Sequence, residues 1–180
     1  MTNAPTDYEL VPFTHDSPLL LDAVKVYTHV WAQRTYGESV DFFRSNARRQ
    51  DFYGYVVQAG TQTIGMGFGT RSLPGQWWHD KVARRVGQDH EALQDAWVLV
   101  ELAIMPAYRN RGLGLRIHNA LLAAQPLPNA LLSTQVENRG ARRFYERHGW
   151  GYLHPGFAFF ESHPLFCILH KTLPNKSAEY

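Results

Sequence analysis

Residues Tyr108 to Arg116 read YRNRGLGLR, with Gly112 and Gly114 set among Arg109, Arg111 and Arg116. Upstream, the β-rich run WVLVELAIM (Trp97 to Met105) must end at Pro106, because proline cannot continue a strand ladder. Downstream, Leu113, Ile117, Ala120, Leu121 and Ala124 recur at helical spacing. A strand, a glycine turn and an amphipathic helix in that order present unpaired backbone N–H groups at the positive end of a helix dipole. Such a turn binds anions: glycine lets the backbone approach closely, and each charge-assisted bond to a phosphate oxygen is worth roughly 1.5–3 kcal/mol. A pyrophosphate suits several such donors. The Walker loop requires Lys-Ser/Thr after its second glycine, and the dinucleotide fingerprint a third glycine where Ile117 stands, so neither fits. An ordinary glycine turn would read the same way, and a second segment has to decide.

Outward from this stretch, the chain alternates elements. Tyr8 to Phe13 reads as a strand, Ser17-Pro18 as the start of the helix LLLDAVKVYTHVWA, and Val40 to Arg49 as a second helix after Gly37. YGYVVQAG and TIGMGFGT form a predicted hairpin around GTQT. Residues 71–95 form a structured insertion holding PGQWWHD, a short helix KVARRVG and a polar stretch. After the helix over 113–124 come the strand ALLSTQV, a helix from Asn138 to His148 stopped by Gly149, strands near Gly156 to Phe160 and Leu165 to Lys171, and a frayed tail over 174–180. The order is a mixed α/β pattern around a central sheet, in one domain spanning 1–180.

The second segment is ENRGARRFYERHGW, Glu137 to Trp150. Together the two segments resemble the acetyl-CoA-dependent N-acetyltransferases of the Gcn5-related (GNAT) superfamily. Arg109-Asn110-Arg111-Gly112-Leu113-Gly114 matches its Gln/Arg-x-x-Gly-x-Gly/Ala signature, and Asn138, Phe144, Tyr145, Gly149 and Trp150 match its downstream pattern. The resemblance implies a mostly antiparallel sheet of six to seven strands, flanked by about four helices, with the insertion between the third and fourth strands. It implies acetyl-CoA as the acyl donor and a primary amine as acceptor. In that scheme Asn110, Arg111, Gly112, Leu113, Gly114 and Leu115 hold the pyrophosphate through their amides. Leu102, Ala103 and Ile104 offer strand-edge backbone to the pantetheine arm, which Asn138 also binds. Arg142 and Arg143 are either solvated helix charges or partners of the 3′-phosphate.

In this superfamily an amine attacks the thioester directly. A lysine-like amine, with pKa about 10.4, costs about 4.6 kcal/mol to neutralise at pH 7, so proton removal must be arranged. Glu101 is the carboxylate on the strand beside the thioester; it is either the base or a structural, substrate-orienting group, and strict alternation places it opposite Val100 and Leu102. Ser133 and Gln135 are weaker candidates. Tyr145 stands at the family's general-acid position and would protonate the leaving thiolate, the alternative being a core aromatic beside Phe144. A backbone N–H near Ala103 or Ile104 would meet the carbonyl oxygen. The acceptor pocket draws on Trp31, Tyr36, Trp77 and Trp78; the last two either form a lid or pack under the insertion.

Composition narrows the alternatives. A formal charge of +2 over 180 residues argues against a general nucleic-acid or anionic-membrane binder. The charge is uneven: between Glu101 and Trp150 seven arginines face three glutamates, which suits one polyanionic ligand. The nine histidines include no HExxH pair, and Cys167, in the apolar run PLFCILH, reads as buried filler, so no metal site is expected. The single cysteine and the absence of a basic-then-apolar start in MTNAPTDYELVPF point to a cytoplasmic protein, and no apolar run is long enough to cross a bilayer. A homodimer is left open. A non-catalytic acyl-CoA sensor or interaction module is the alternative to an enzyme.

Overall fold

The computed structural model describes residues 7–174. The expected tail beyond Pro174 and the first six residues of the N-terminal reading lie outside the described residues. The elements are β1 (Tyr8–Phe13), α1 (Leu19–Val30), α2 (Tyr36–Ala47), β2 (Tyr53–Ala59), β3 (Gln62–Ser72), α3 (Trp77–Val86), β4 (Ala96–Ile104), α4 (Leu113–Ala124), β5 (Asn129–Gln135), α5 (Arg139–Arg147), β6 (Gly151–Ala158) and β7 (Leu165–Thr172), with short 3-10 turns at Glu91–Leu93 and Pro106–Tyr108. The strands pair in the order β1-β2-β3-β4-β5-β7-β6. Pairings β1/β2, β2/β3, β5/β7 and β6/β7 are antiparallel, and β4/β5 is parallel. This is the expected mixed, mostly antiparallel sheet. It carries five helices where about four were expected, because the insertion contains a full helix, α3.

Three boundaries differ from expectation for identifiable reasons. Helix α2 starts at Tyr36, not Val40, because Thr35 and Glu38 close a capping box that carries the helix across Gly37. Helix α3 starts at Trp77, so Trp77 and Trp78 occupy its first turn and not a loop. Strand β6 begins at Gly151 and runs through Pro155, which is tolerated because β6 lies at the sheet edge.

The chain forms two compact units. One holds the described residues up to Thr70 together with Leu99–Gln125; the other holds Arg71–Val98 and the described residues from Pro126 onward. In the first, Leu20, Ala23, Val24 and Tyr27 line one face of α1 and meet Phe43, Val56, Met66, Phe68 and Ala103 in a buried cluster. Met66 and Phe68 point to that cluster, so the alternating Gly65 and Gly67 face the other way, toward α4. A Cβ on Gly65 would come within 2.5 Å of Ile104 Cδ1; one on Gly67 would come within 2.7 Å of Ile117 Cγ2 and 3.2 Å of the Glu101 carbonyl oxygen. These glycines let α4 lie against β3 and β4. Gly67→Ala is therefore expected to destabilise the protein by about 1–3 kcal/mol in a denaturant titration, since both Ile117 and the β4 main chain must shift. An unchanged midpoint would show that α4 is free to move away.

In the second unit, Leu131, Cys167, Ile168 and Leu169 are buried on β5 and β7. Burial raises the Cys167 thiol pKa, outweighing the Arg142 charge that lowers it, which fits the filler reading. Asn138 caps α5 by accepting the Ala141 amide at 3.1 Å, and Gly149, at φ 82°, ends the helix in the left-handed region.

Candidate active site

The residues singled out in the sequence fall into two sets, one in each unit. The first begins where β4 ends. Pairing of β4 with β5 covers only Ala96–Val98, so no β5 residue pairs with Leu99 to Ile104. After the Pro106–Tyr108 turn, Asn110 (φ 60°) and Gly112 (φ 74°) both adopt left-handed backbone, and Gly112 opens α4 with no side-chain cap. Among the described residues no acceptor meets the amides of Asn110 to Leu115; the first amide engaged again is that of Arg116, on the Gly112 carbonyl at 3.1 Å. Left-handed residues at such a helix start turn successive N–H groups toward a common concavity.

Two of the three arginines around this turn have structural partners. Arg109 Nε donates to the Ile104 carbonyl at 3.1 Å, and Arg111 donates to the Tyr8 hydroxyl at 2.6 Å and the Ala107 carbonyl at 3.3 Å. These two brace the loop, while Arg116, on the first turn of α4, is exposed and has no side-chain partner among the described residues, so the main-chain amides and one free cation stand at the turn. A Cβ on Gly112 would meet nothing within 4 Å, and one on Gly114 only Ile104 Cγ1 at 3.9 Å, so nothing beyond the chain neighbours crowds either glycine. A set of unengaged N–H donors at a helix start fits a diphosphate.

Glu101 lies three residues before the end of β4. Val100 and Ala103, three apart, both pack on the α1/α2 cluster, so strict alternation does not describe this stretch. Glu101 retains some accessible surface, but its carboxyl is deeply enclosed, and burial pushes its pKa up to about 8, with Arg34 pulling weakly the other way. Its field and burial push the Tyr27 hydroxyl up to about 12, burial being the larger cause. Arg34 comes from the connection between α1 and α2, between the exposed Trp31 and Tyr36. Sequence reading did not select Arg34 or Tyr27. Nothing in WAQRTYG distinguishes that arginine from a solvated one; its place over the Phe42 ring and its charge on Glu101 give it a role.

The second set lies on α5 and α3. Tyr145 is 8% exposed and packs edge-on against Phe144 and Trp150, with ring centres 5.1 and 5.6 Å away. Asn138 uses its side-chain oxygen for the cap, which leaves the amide NH2 as a donor. Arg142 donates to the Tyr152 hydroxyl at 2.7 Å and the Val136 carbonyl at 2.8 Å, whereas Arg143 is exposed with no partner among the described residues. Trp78 donates through Nε1 to Ser133 Oγ at 3.1 Å, which ties Ser133 to the insertion. Trp77, 48% exposed, stacks on Phe160 with ring centres 5.0 Å apart. Among the described residues no group of His, Cys, Asp and Glu could hold a metal, and no helix is long and apolar enough to cross a membrane.

Comparisons with known proteins converge on one family. A GCN5-like protein acetyltransferase of Mycobacterium tuberculosis, Rv2170, is 35% identical over 121 residues, covering 62% of this chain and 59% of that protein, so the match spans about three-fifths of the curated relative. The solved structure of an aminoglycoside 6'-acetyltransferase type Ii has TM-score 0.68 at 15% identity, over 93% of this chain and 99% of that one. That of the ribosomal-protein-S18-alanine N-acetyltransferase from Escherichia coli has TM-score 0.66 at 13% identity, over 96% and 100%. At such identities the structures establish the fold alone. Residues 20–150 match the acetyltransferase (GNAT) family model, and the chain belongs to that family.

Proposed function

We propose that the chain is one domain that transfers an acetyl or other small acyl group from acyl-CoA to a primary amine by direct attack. The name of the 35% identical relative favours a protein amine as the acceptor. The observation that carries the reading is the run of unengaged amides from Asn110 to Leu115 at the start of α4. Acetyl-CoA, when bound, supplies the activated thioester. The Asn110–Leu115 amides hold the diphosphate, and Leu102 to Ile104 offer backbone to the pantetheine arm, where Asn138 adds its NH2. Arg143, without a partner among the described residues, is better suited than Arg142 to a 3′-phosphate.

Glu101 in its ionised form takes the proton from the attacking amine, either directly or through water. Tyr145 gives its hydroxyl proton to the leaving sulfur, and the Ala103 or Ile104 N–H meets the carbonyl oxygen as it gains charge. The balance is simple: a C–N bond forms, a C–S bond breaks, and one proton passes from amine to thiol. Millimolar acetyl-CoA is expected to raise the melting temperature, and the absence of any shift would count heavily against the reading. Tyr145→Phe is expected to keep that shift and lose about 10²-fold or more in free-thiol release across an amine panel. Unchanged turnover would return Tyr145 to a packing role, and a thermal shift with no turnover for any amine would favour a non-catalytic acyl-CoA sensor.

A further inference from the structure

The guanidinium of Arg34 sits 4.6 Å from the centre of the Phe42 ring. Phe42 in turn packs edge-on against Phe43 and Phe68, in the buried cluster that Ala103 joins and Val100 flanks, so the exposed Arg34 side chain lies on the margin of the core that β4 lines. Among the described residues this guanidinium has no hydrogen bond and no ion pair. The acid nearest in sequence, Glu38, is committed elsewhere: its Oε2 accepts from the Thr35 amide at 2.9 Å and the Thr35 hydroxyl at 2.8 Å. Two exposed aromatics, Trp31 and Tyr36, flank Arg34 in the chain. Its charge acts on Glu101 and also, behind the Thr35 hydrogen bonds, on Glu38, favouring the ionised form of each.

An enzyme for polycationic acceptors would place several carboxylates around its base. Here the carboxylate assigned to proton removal has as its charged neighbour an exposed guanidinium that makes no ion pair among the described residues. A guanidinium presents five donors in a planar fork that matches a carboxylate bidentately. Resting on the acyltransferase reading, we propose that the acceptor carries a carboxylate close to its amine and that Arg34 binds it, which makes Arg34 a specificity-determining residue. The same chemistry has two sources: the carboxylate of a small amino acid, or an acidic side chain next to a lysine in a protein.

Two matched pairs of acceptors test this: ε-aminohexanoate against its neutral amide, and a blocked Asp-Lys peptide against its Asn-Lys counterpart. The wild-type protein is expected to prefer the anionic member of at least one pair by 10–100-fold in kcat/KM, and the pair with the larger ratio identifies the source. Arg34→Ala should erase the preference through KM, and Arg34→Lys should restore part of it. Loss of the Arg34 charge also makes Glu101 harder to ionise, but that affects both members of a pair alike. Equal efficiency within both pairs in the wild type, or an equal loss for both members in Arg34→Ala, would overturn the proposal. Calorimetric titration of the anionic acceptors onto the CoA-loaded protein adds a readout without turnover. Arg34-dependent binding with no reaction would sink the acyltransferase reading and leave the anion site standing; no such binding and no reaction would sink both.

Discussion

Replacing Glu101 by Gln is expected to make the protein a poorer enzyme and, in alkaline solution, a more stable one. The two effects share one cause. Burial holds the carboxyl pKa near 8 instead of the ordinary 4.5, so the folded chain prefers the neutral form. A carboxyl whose folded pKa lies above its unfolded value contributes no penalty below pH 4.5. As pH rises from there to about 8, the unfolded chain gives up its proton while the folded chain keeps it, and stability falls at up to about 1.4 kcal/mol per pH unit. Water reaches part of Glu101, which discounts the total to a few kcal/mol at most. Gln is neutral at every pH and escapes the penalty, so the melting temperature of the variant should exceed the wild type's by several degrees at pH 9 and match it near pH 4. A lower melting temperature at pH 9 would mean that Glu101 is ionised and held by Arg34 as a structural ion pair.

The kinetic half of the same prediction follows from the base role. Only ionised Glu101 accepts a proton, so wild-type kcat should climb with pH through about 8. Acceptor amines titrate too, and the two limbs are separated by chemistry: the Glu101 limb stays in place when acceptors of different amine pKa are compared, while the acceptor limb moves. Glu101→Gln should lower kcat/KM by about 10²–10⁴-fold and lose the fixed limb. A variant that keeps both rate and limb would assign Glu101 to substrate orientation.

The parts of the fold that position this chemistry were legible because local signals agreed. Helix α4 matches its predicted range over Leu113–Ala124, since apolar spacing, a preceding glycine turn and an upstream proline all place its start together. Asn138 and Gly149 bracket α5 for the same kind of reason. Legibility failed where one residue was weighed alone. Gly37 reads as a breaker, yet Thr35 and Glu38 on either side supply the capping box that overrides it. Trp77 and Trp78 read as loop aromatics, but the amide of Asp80 already bonds the Gln76 carbonyl at 3.0 Å, so they lie on the first turn of α3.

The candidate site was legible as residue types and not as environments. The glycines announce an anion turn, but that Arg109 and Arg111 brace the loop depends on carbonyls and a tyrosine brought up by the fold. Glu101 stands out in an apolar strand, but its raised pKa is a property of enclosure, which a linear reading cannot measure. Arg34 had no signal at all, because its significance lies in a contact with Phe42 and a charge shared with Glu101.

The anion turn can be tested by a substitution whose effects on folding and on binding have opposite signs. Gly114 is the second residue of α4, and a Cβ there would meet only Ile104 Cγ1, at 3.9 Å, with no left-handed φ to strain it. The Cβ of an Asp at that position fits without displacing its neighbours. Its carboxylate at a helix N-terminus favours the fold by about 0.3–1 kcal/mol, and loss of a glycine from the helix adds up to about 1 kcal/mol. The free Gly114→Asp protein should therefore melt at the same temperature as the wild type or a few degrees higher. The same carboxylate lies among the amides assigned to the diphosphate, where it takes their hydrogen bonds and repels the ligand's charge. Acetyl-CoA should then produce no thermal shift at concentrations that saturate the wild type, and its affinity should fall by about 100-fold or more, equivalent to about 2.8 kcal/mol. Gly114→Ala separates shape from charge, since its methyl fits the same space and should keep most of the affinity. If Asp at 114 binds acetyl-CoA as the wild type does, the diphosphate lies elsewhere and the amides of Asn110 to Leu115 do not hold it.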